Sequence, residues 1–283
     1  MRKRLLRLVS NSVIAALLIS CSKGQFSSEI SSVATVRNNL QFGYFGSVGD
    51  QPRDTRDHVN VYFDMGFDGL QATIDSINYM QMPTILGVQR QLFDSNNRLL
   101  LDGEQRLRDY FTALKPSGVL QYVTYLYPLD EPDILNTPAS EVVEAARVTR
   151  KVASEFGITQ HLFVIYGASF TFPASDSFDL IAFDNYSEGI KIFTNGDYDK
   201  LKAVRKPYQK IALIPGGAGP WLQDPIPFYN VLNNDLDVQM IIAFVWFDST
   251  LPAQGYTSGI RSNVRRPDYC RVGKLITSKA GQC

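Results

Sequence analysis

Histidine is the scarcest chemistry-bearing residue of this 283-residue chain: His58 and His161 are the only two. Cysteine is almost as rare, at Cys21, Cys270 and Cys283. So few imidazoles and thiols speak against a zinc centre built on His and Cys ligands and against a Cys–His nucleophile. No GxSxG elbow is present to carry a Ser-His-Asp triad. There is no P-loop either, and no GxGxxG turn follows the first strand-like run, so neither a bound nucleotide nor any other cofactor or metal is expected. Charge of one sign is also missing: 28 Lys and Arg face 28 Asp and Glu. Beyond the N-terminal MRKRLLR there is no basic patch, and no nucleic-acid partner is expected. No internal period of about 20–50 residues marks a repeat array. Nor is any apolar run long enough to cross about 30 Å of hydrocarbon.

What is present is an ordinary globular composition, 45% hydrophobic and 12% aromatic, ample for one large domain. The first twenty residues stand apart. Arg2, Lys3, Arg4 and Arg7 precede the short apolar run VIAALLIS, the pattern of a cleaved export signal. The segment LISC, Leu18 to Cys21, resembles the bacterial lipobox, which implies a lipid on Cys21 and a membrane partner through that lipid. Removing the leader leaves a net charge of −4. Residues 21–36, including SKGQFSSEISS, read as a polar tether, and 37–283 as the folded domain. The expected location is the cell envelope, on the periplasmic side or facing outward, and the expected state is a monomer. In that oxidising compartment Cys270 and Cys283 are candidates for a disulfide, with two free thiols the alternative.

Strand-like and helix-like stretches alternate along the domain. Apolar or aromatic runs fall at 40–46, 58–64, 83–88, 119–127, 161–167, 178–186, 210–217 and 238–247, and several are apolar nearly throughout, as strands buried on both faces require. Between them the spacing predicts a helix from Thr137–Pro138, with Thr137 as cap and Pro138 in the first turn, to a stop at Gly157. Weaker patterns predict helices at 68–80, 103–115, 197–205 and 225–234, while the crossovers after the first and fifth runs have room only for abbreviated helices. Eight such units over about 240 residues predict the α/β class and a single (β/α)₈ TIM barrel, with an open doubly wound sheet as the alternative. The tail after about residue 250 contains Gly and Arg and is expected to wrap the barrel.

In a barrel of this kind the chemistry sits at the C-terminal strand ends. Those ends supply Tyr44 and Asp50, Asp64, Gln89 and Arg90, then Tyr127, Asp130 and Glu131. Further along they supply Tyr166, then Asp184, Asn185 and Tyr186, then Gly216, Gly217 and Trp221, and finally Trp246 and Asp248. Carboxylates in pairs suit glycoside hydrolysis, and aromatic faces suit sugar rings. The segment YPLDEPD, closing the fourth run, resembles the strand-four end of the large (β/α)₈ glycoside hydrolase superfamily. The eight-strand layout and the aromatic FVWFD at strand eight are similar to that superfamily too. The resemblance implies that Glu131 is the general acid/base and that Asp130 stands where the family often has asparagine. Layout carries it over most of the domain, the specific motif over a few residues only.

One departure matters. The seventh run ends IALIPGGAGPW, without the nucleophilic glutamate that the retaining branch of the family usually places there. Its glycines are expected to let a substrate approach the backbone closely. Asp184 is then the natural second carboxylate. It would be the base of an inverting pair about 6.5–9.5 Å from Glu131. Alternatively, Asp184 or Asp130 would orient an acetamido group with help from Tyr186, since FDNY resembles the strand-six region of chitinase-like barrels. Tyr44, Tyr127, Asp130, Tyr186, Trp221, Trp246 and Asp248 are the expected sugar-binding residues. The function expected is hydrolysis of a glycosidic bond. The alternative is a catalytically silent carbohydrate-binding or envelope-structural lipoprotein on the same fold, and a third reading is a metal-dependent hydrolase using Asp64, Asp130, Glu131 and Asp184.

Overall fold

The eight apolar runs each contain a strand, and the strands pair in parallel throughout. They are β1 Gln41–Tyr44, β2 Tyr62–Asp64, β3 Thr84–Gly87, β4 Val123–Tyr127, β5 Phe163–Tyr166, β6 Leu180–Phe183, β7 Lys210–Leu213 and β8 Val238–Ala243. The computed structural model describes residues 37, 39–46, 51–249 and 257–283. The leader, Cys21 and the tether up to residue 36 lie outside the described residues, as does Asp50.

Continuous ladders form a five-stranded sheet, β1-β8-β7-β6-β5, and a three-stranded one, β2-β3-β4. Backbone hydrogen bonds join the two along both seams. Between β1 and β2 the N–H groups of Asn60 and Val61 donate to the Phe42 carbonyl at 3.0 and 3.3 Å. Between β4 and β5, Leu126 N–H donates to His161 O at 2.9 Å and Glu131 N–H to Ile165 O at 3.0 Å. The result is the (β/α)₈ arrangement. Strand composition follows from it, because both faces are buried. Phe63, Ile85, Tyr127, Phe163, Leu180, Ala212, Met240 and Ile242 fill the interior, while Phe42, Leu86, Leu126, Val164, Ile181 and Ile241 pack outward.

The crossover helices are α1 Gln51–Thr55, α2 Leu70–Met80, α3 Gln89–Leu92, α4 Gly103–Leu114, α5 Ala139–Glu155, α6 Asp197–Val204, α7 Pro225–Asn234 and α8 Arg266–Thr277. As expected, only the five-residue α1 follows β1, and only a 3₁₀ turn at Ser175–Ser177 follows β5. Three details differ from the sequence reading. The run 58–64 becomes a strand only at Tyr62, because the Asn60 side chain takes the place of ladder bonds: its Oδ1 accepts from Phe42 N–H at 2.8 Å and its Nδ2 donates to Leu40 O at 2.9 Å. Val119–Tyr122 is a 3₁₀ turn rather than strand, entered from Gly118 at φ 75°. Helix α5 begins one residue late, with Pro138 at its cap position and the Thr137 hydroxyl unbonded. The tail wraps the barrel as expected, and does so as a helix: α8 buries Tyr269, Cys270, Val272 and Gly273 next to β1 and α7.

Cys270 in α8 is joined to Cys283. At the other terminus Arg37 donates to the carbonyls of Leu232, Asp235 and Val238 at 2.6–2.8 Å, which fixes the start of the domain at the α7–β8 turn. That turn is on the end of the barrel opposite the C-terminal strand ends. Among the described residues no helix is long and apolar enough to cross a membrane.

Candidate active site

Past Tyr127 the chain does not turn into a helix at once. It runs on beside β5, where Asp130 bridges Ile165, and then Glu131 takes a positive φ of 39°. That conformation is costly for a residue with a Cβ, on the order of 1–3 kcal/mol, and persists only where its surroundings enforce it. Here Glu131 N–H is tied to Ile165 O, and the Glu131 carbonyl accepts from Leu135 N–H at 2.9 Å. The turn carries the Glu131 side chain over the end of β5, onto Gly167. A Cβ on Gly167 would lie 3.2 Å from Glu131 Oε1 and would overlap the Ile134 side chain. Gly167 is itself held by its N–H donating to Asp133 Oδ1 at 2.8 Å, while the Ser169 hydroxyl donates to Asp133 Oδ2.

Asp184, one residue beyond β6, meets Glu131 here. Its N–H donates to Tyr166 O at 2.9 Å, the Tyr186 hydroxyl donates to its Oδ2 at 2.8 Å, and its carboxyl is hydrogen-bonded to that of Glu131. Burial, and then the Glu131 charge, push the Asp184 carboxyl well above the ordinary range. Burial raises Glu131 as well. Two buried carboxyls in contact cannot both ionise, so the pair keeps a proton between them.

Asp130 faces the other way. It accepts the Tyr127 hydroxyl, and its N–H donates to Gln89 Oε1 at 3.2 Å. Burial, followed by the charges of Glu131 and Asp133, pushes its carboxyl up to about 7 against the lowering effect of the Tyr127 bond. Among the described residues, none of the hydrogen bonds to Asp130, Glu131, Asp133 or Asp184 comes from a lysine or arginine. Arg90 instead donates to Phe67 O at 2.6 Å and lies over the Phe67 ring.

An aromatic wall stands beside the carboxyls. Tyr186 stacks on Phe244 with ring centres 5.0 Å apart, Trp221 lies 5.4 Å from Tyr186, and Phe45 lies 5.5 Å from Phe244. All four rings are half-buried. The strand-seven glycines serve this wall rather than a ligand. A Cβ on Gly216 would come within 2.7 Å of the Tyr186 ring, and one on Gly217 would overlap Ile260. The expectation that a substrate approaches the backbone there is therefore corrected. Gln223 completes the support, accepting from Gly216 N–H at 2.8 Å and donating to Tyr186 O at 2.9 Å.

Glu131, Asp184, Asp130, Tyr127, Tyr186 and Trp221 thus come together. Tyr44, Trp246 and Asp248 do not. Tyr44 and Trp246 are buried on the outer side of the wall, 4.7 Å apart, with the Tyr44 hydroxyl on His58 Nε2 at 2.9 Å and Arg266 over the Trp246 ring. Side chains alternate along a strand, so Phe45, the residue after Tyr44, points inward in its place, and Phe244, two residues before Trp246, packs against it there. Asp248 is exposed and organises the following turn, accepting from Gly259 N–H at 2.7 Å and from the Ser262 hydroxyl. Asp64 faces α2, bonded to Gly66 N–H, Thr73 and Tyr62, which removes it from the four-carboxylate metal reading. Among the described residues no three His, Cys, Asp or Glu side chains converge on a point that could hold a metal ion. Residues at the site that escape a reading of strand ends are Phe45, Phe244, Asp133, Gly167 and Gln223. Proximity of Asp133 to DEP, two positions on, is the one signal that pointed to any of them.

No family model and no curated protein matches the chain. Solved structures do. A GH113 β-1,4-mannanase superposes with TM-score 0.55 at 10% identity, over 86% of this chain and 100% of that one. The chain has the fold of the (β/α)₈ glycoside hydrolases. A β-mannanase from Alicyclobacillus acidocaldarius, in complex with ManMIm, gives 0.52 at 12% identity over 88% and 100% of the two chains. A Rhizomucor miehei β-1,3-glucanosyltransferase in complex with laminaritriose gives 0.51 at 14% identity over 77% and 90%. In this glycoside hydrolase fold the cluster around Glu131 occupies the C-terminal end of the barrel, where the fold carries its chemistry.

Proposed function

We propose that the protein cleaves a glycosidic bond, with Glu131 as general acid/base and Asp184 as its partner carboxyl. The observation that carries this reading is the Glu131 carboxyl itself. It is bent by a positive φ over Gly167, raised by burial, hydrogen-bonded to Asp184, and set at the C-terminal end of a glycosidase-like barrel beside half-buried aromatic rings. A raised carboxyl pKa is what a proton donor needs near neutral pH. Carbohydrate as the ligand class is supported by the laminaritriose and ManMIm complexes of proteins with like fold. Tyr186, Trp221, Phe244 and Phe45 are the surfaces offered to a sugar, and Tyr127 and Asp130 support them from beneath.

The same proposal takes Cys21 as the lipidated residue, residues 21–36 as its tether and the cell envelope as the place of action, on the sequence of the leader. Because the described domain starts at the α7–β8 turn, such an anchor would leave the cleft facing away from the bilayer. The proposed state is a monomer.

The test is hydrolysis of a panel of polysaccharides and chromogenic glycosides by wild type and by Glu131→Gln, with circular dichroism to confirm folding. The variant is expected to lose about 10²–10⁴-fold in kcat, the usual contribution of a general acid. Equal turnover by both proteins would contradict the assignment. Binding without turnover in either form would support the silent carbohydrate-binding alternative, which the missing strand-seven carboxylate favours.

A further inference from the structure

The end of the barrel opposite the cleft carries an exposed surface that neither the fold nor the proposed reaction uses. Tyr208, in the turn entering β7, is 60% exposed, and Leu236, in the turn entering β8, is 70% exposed. The two turns are neighbours: Lys210 Nζ donates to Leu236 O at 3.1 Å, and Ile211 N–H donates to Asp237 O at 2.9 Å. The Tyr208 hydroxyl is satisfied by Asp176 O at 2.7 Å, while its ring stands in solvent. Beside them a cavity of about 460 Å³ is lined by Phe193, Tyr198, Val231 and Leu236. Charge on this face is lopsided. Asp235 is paired with Lys202 at 2.6 Å, Asp237 with Arg205 at 2.8 Å, and Asp179 with Arg150 at 2.8 Å. Arg37 and Lys210 bond to carbonyls instead, and Lys206 is exposed. Among the described residues of these turns, Arg37, Lys206 and Lys210 therefore lack a carboxylate partner, against Asp176 as the one carboxylate without a cation.

We propose that this face of the domain rests on the surface of an anionic phospholipid bilayer, with Tyr208 and Leu236 at headgroup level and Arg37, Lys206 and Lys210 against the lipid phosphates. This rests on the reading of Cys21 as the membrane anchor, and goes beyond it by giving the folded domain its own contact with the membrane. The domain begins at this face, because Arg37 is tied to the carbonyls of Leu232, Asp235 and Val238. Residues 21–36 reach at most about 55 Å even when fully extended, so a lipid on Cys21 holds this end of the barrel within that distance of the bilayer. Tethering raises the effective concentration of the face at the membrane, and a weak surface then suffices. Tyrosine suits the boundary between hydrocarbon and water, and each cation close to an anionic leaflet adds attraction. Two exposed apolar side chains are too few for a stable contact with another protein, which takes about 20–30 residues a side. Docked in this way, the domain does not tumble on its anchor, and the cleft is presented away from the bilayer.

The experiment uses the full-length chain, purified from bacterial membranes and reconstituted in vesicles, with mass spectrometry of the Cys21 peptide to read its lipid. An environment-sensitive fluorophore is placed at Pro207→Cys, in the exposed turn before β7, and in a second protein at Leu101→Cys, exposed on the cleft side of the barrel ahead of α4. The vesicles carry brominated acyl chains, in phosphatidylcholine alone or mixed with phosphatidylglycerol. On the anionic vesicles, quenching at 207 is expected to exceed quenching at 101 at least about threefold, and to fall at least about threefold with Lys206→Glu or in about 0.5 M salt. The salt arm needs no further variant. Equal quenching at the two positions, or stronger quenching at 101, overturns the inference, and an acyl chain found on Cys21 in the same protein leaves the anchor intact. A spectral shift at 207 that brominated lipid does not quench, and that grows with protein density, marks a second copy of this chain as the occupant and also overturns it. An unmodified Cys21 overturns the anchor, and the docking face is then decided by the same quenching comparison on the Cys21→Ser chain with vesicles added.

Discussion

Three carboxyls at the end of β4 and β6 are held above their ordinary range, and each owes this first to burial. A raised folded-state value means the native protein binds protons that the unfolded chain releases. The stability these groups contribute is therefore fully present below about pH 4 and is lost as pH rises through about 7, the value for Asp130. Asp130→Asn is expected to flatten that decline, gaining on the order of 2–4 kcal/mol relative to wild type between pH 4 and pH 8. Urea midpoints across the window check it, and parallel curves would count against it. Gly167 carries a second residue-scale prediction. Gly167→Ala sets a methyl against Ile134 and 3.2 Å from Glu131 Oε1. A stability loss of about 1–3 kcal/mol is expected from the overpacking. A larger proportional loss of kcat should accompany it, because the displaced atom belongs to the proposed general acid.

At the scale of the element, existence was legible and facing was not. Eight runs of β-branched and aromatic residues marked eight strands, and helix periodicity placed α2, α4, α5, α6 and α7 within two residues of their bounds. DEP after the fourth run pointed to Glu131 for the same reason. What the sequence could not show is which of two nearby aromatics faces in when both faces of a strand are buried. Tyr44 and Trp246 look like cleft residues, yet Phe45 and Phe244 take the inward positions. Helix α8 escaped because Pro267 and Gly273 interrupt its pattern, Arg266 and Arg271 lie on its exposed side, and only one narrow stripe is buried. The contact between Glu131 and Asp184 was equally illegible, since it depends on a positive φ at Glu131 that no propensity suggests. This facing has a consequence that can be measured. Trp246→Ala is expected to cost about 3–5 kcal/mol of stability, as for other buried large-to-small changes. Phe244→Ala is expected to weaken carbohydrate binding instead. Thermal denaturation alongside ligand titration separates the two, and reversal of the pattern would restore Trp246 to the cleft.

On the scale of the whole molecule, the site is built from strand ends far apart in sequence, so it depends on the barrel staying closed along both seams. Helix α8 covers β1, and the Cys270–Cys283 link, 13 residues apart, ties the last segment back onto it. Closing a loop of that size is worth about 3 kcal/mol through the unfolded chain. Reduction, or Cys283→Ser, is expected to lower Tm by several degrees and to leave kcat unchanged, because none of the site residues lies on α8. A parallel fall in kcat would show that α8 takes part in the cleft.

The role proposed for Glu131 is delivery of a proton to the leaving oxygen at the open end of this barrel. It is tested most directly by comparing wild type with Glu131→Gln on two glycosides of one sugar, one with a poor leaving group and one with 2,4-dinitrophenol. For the poor leaving group a loss of about 10²–10⁴-fold is expected, and for the dinitrophenyl glycoside, which leaves without protonation, a loss smaller by at least about tenfold. Equal losses on both substrates would contradict the role assigned to Glu131.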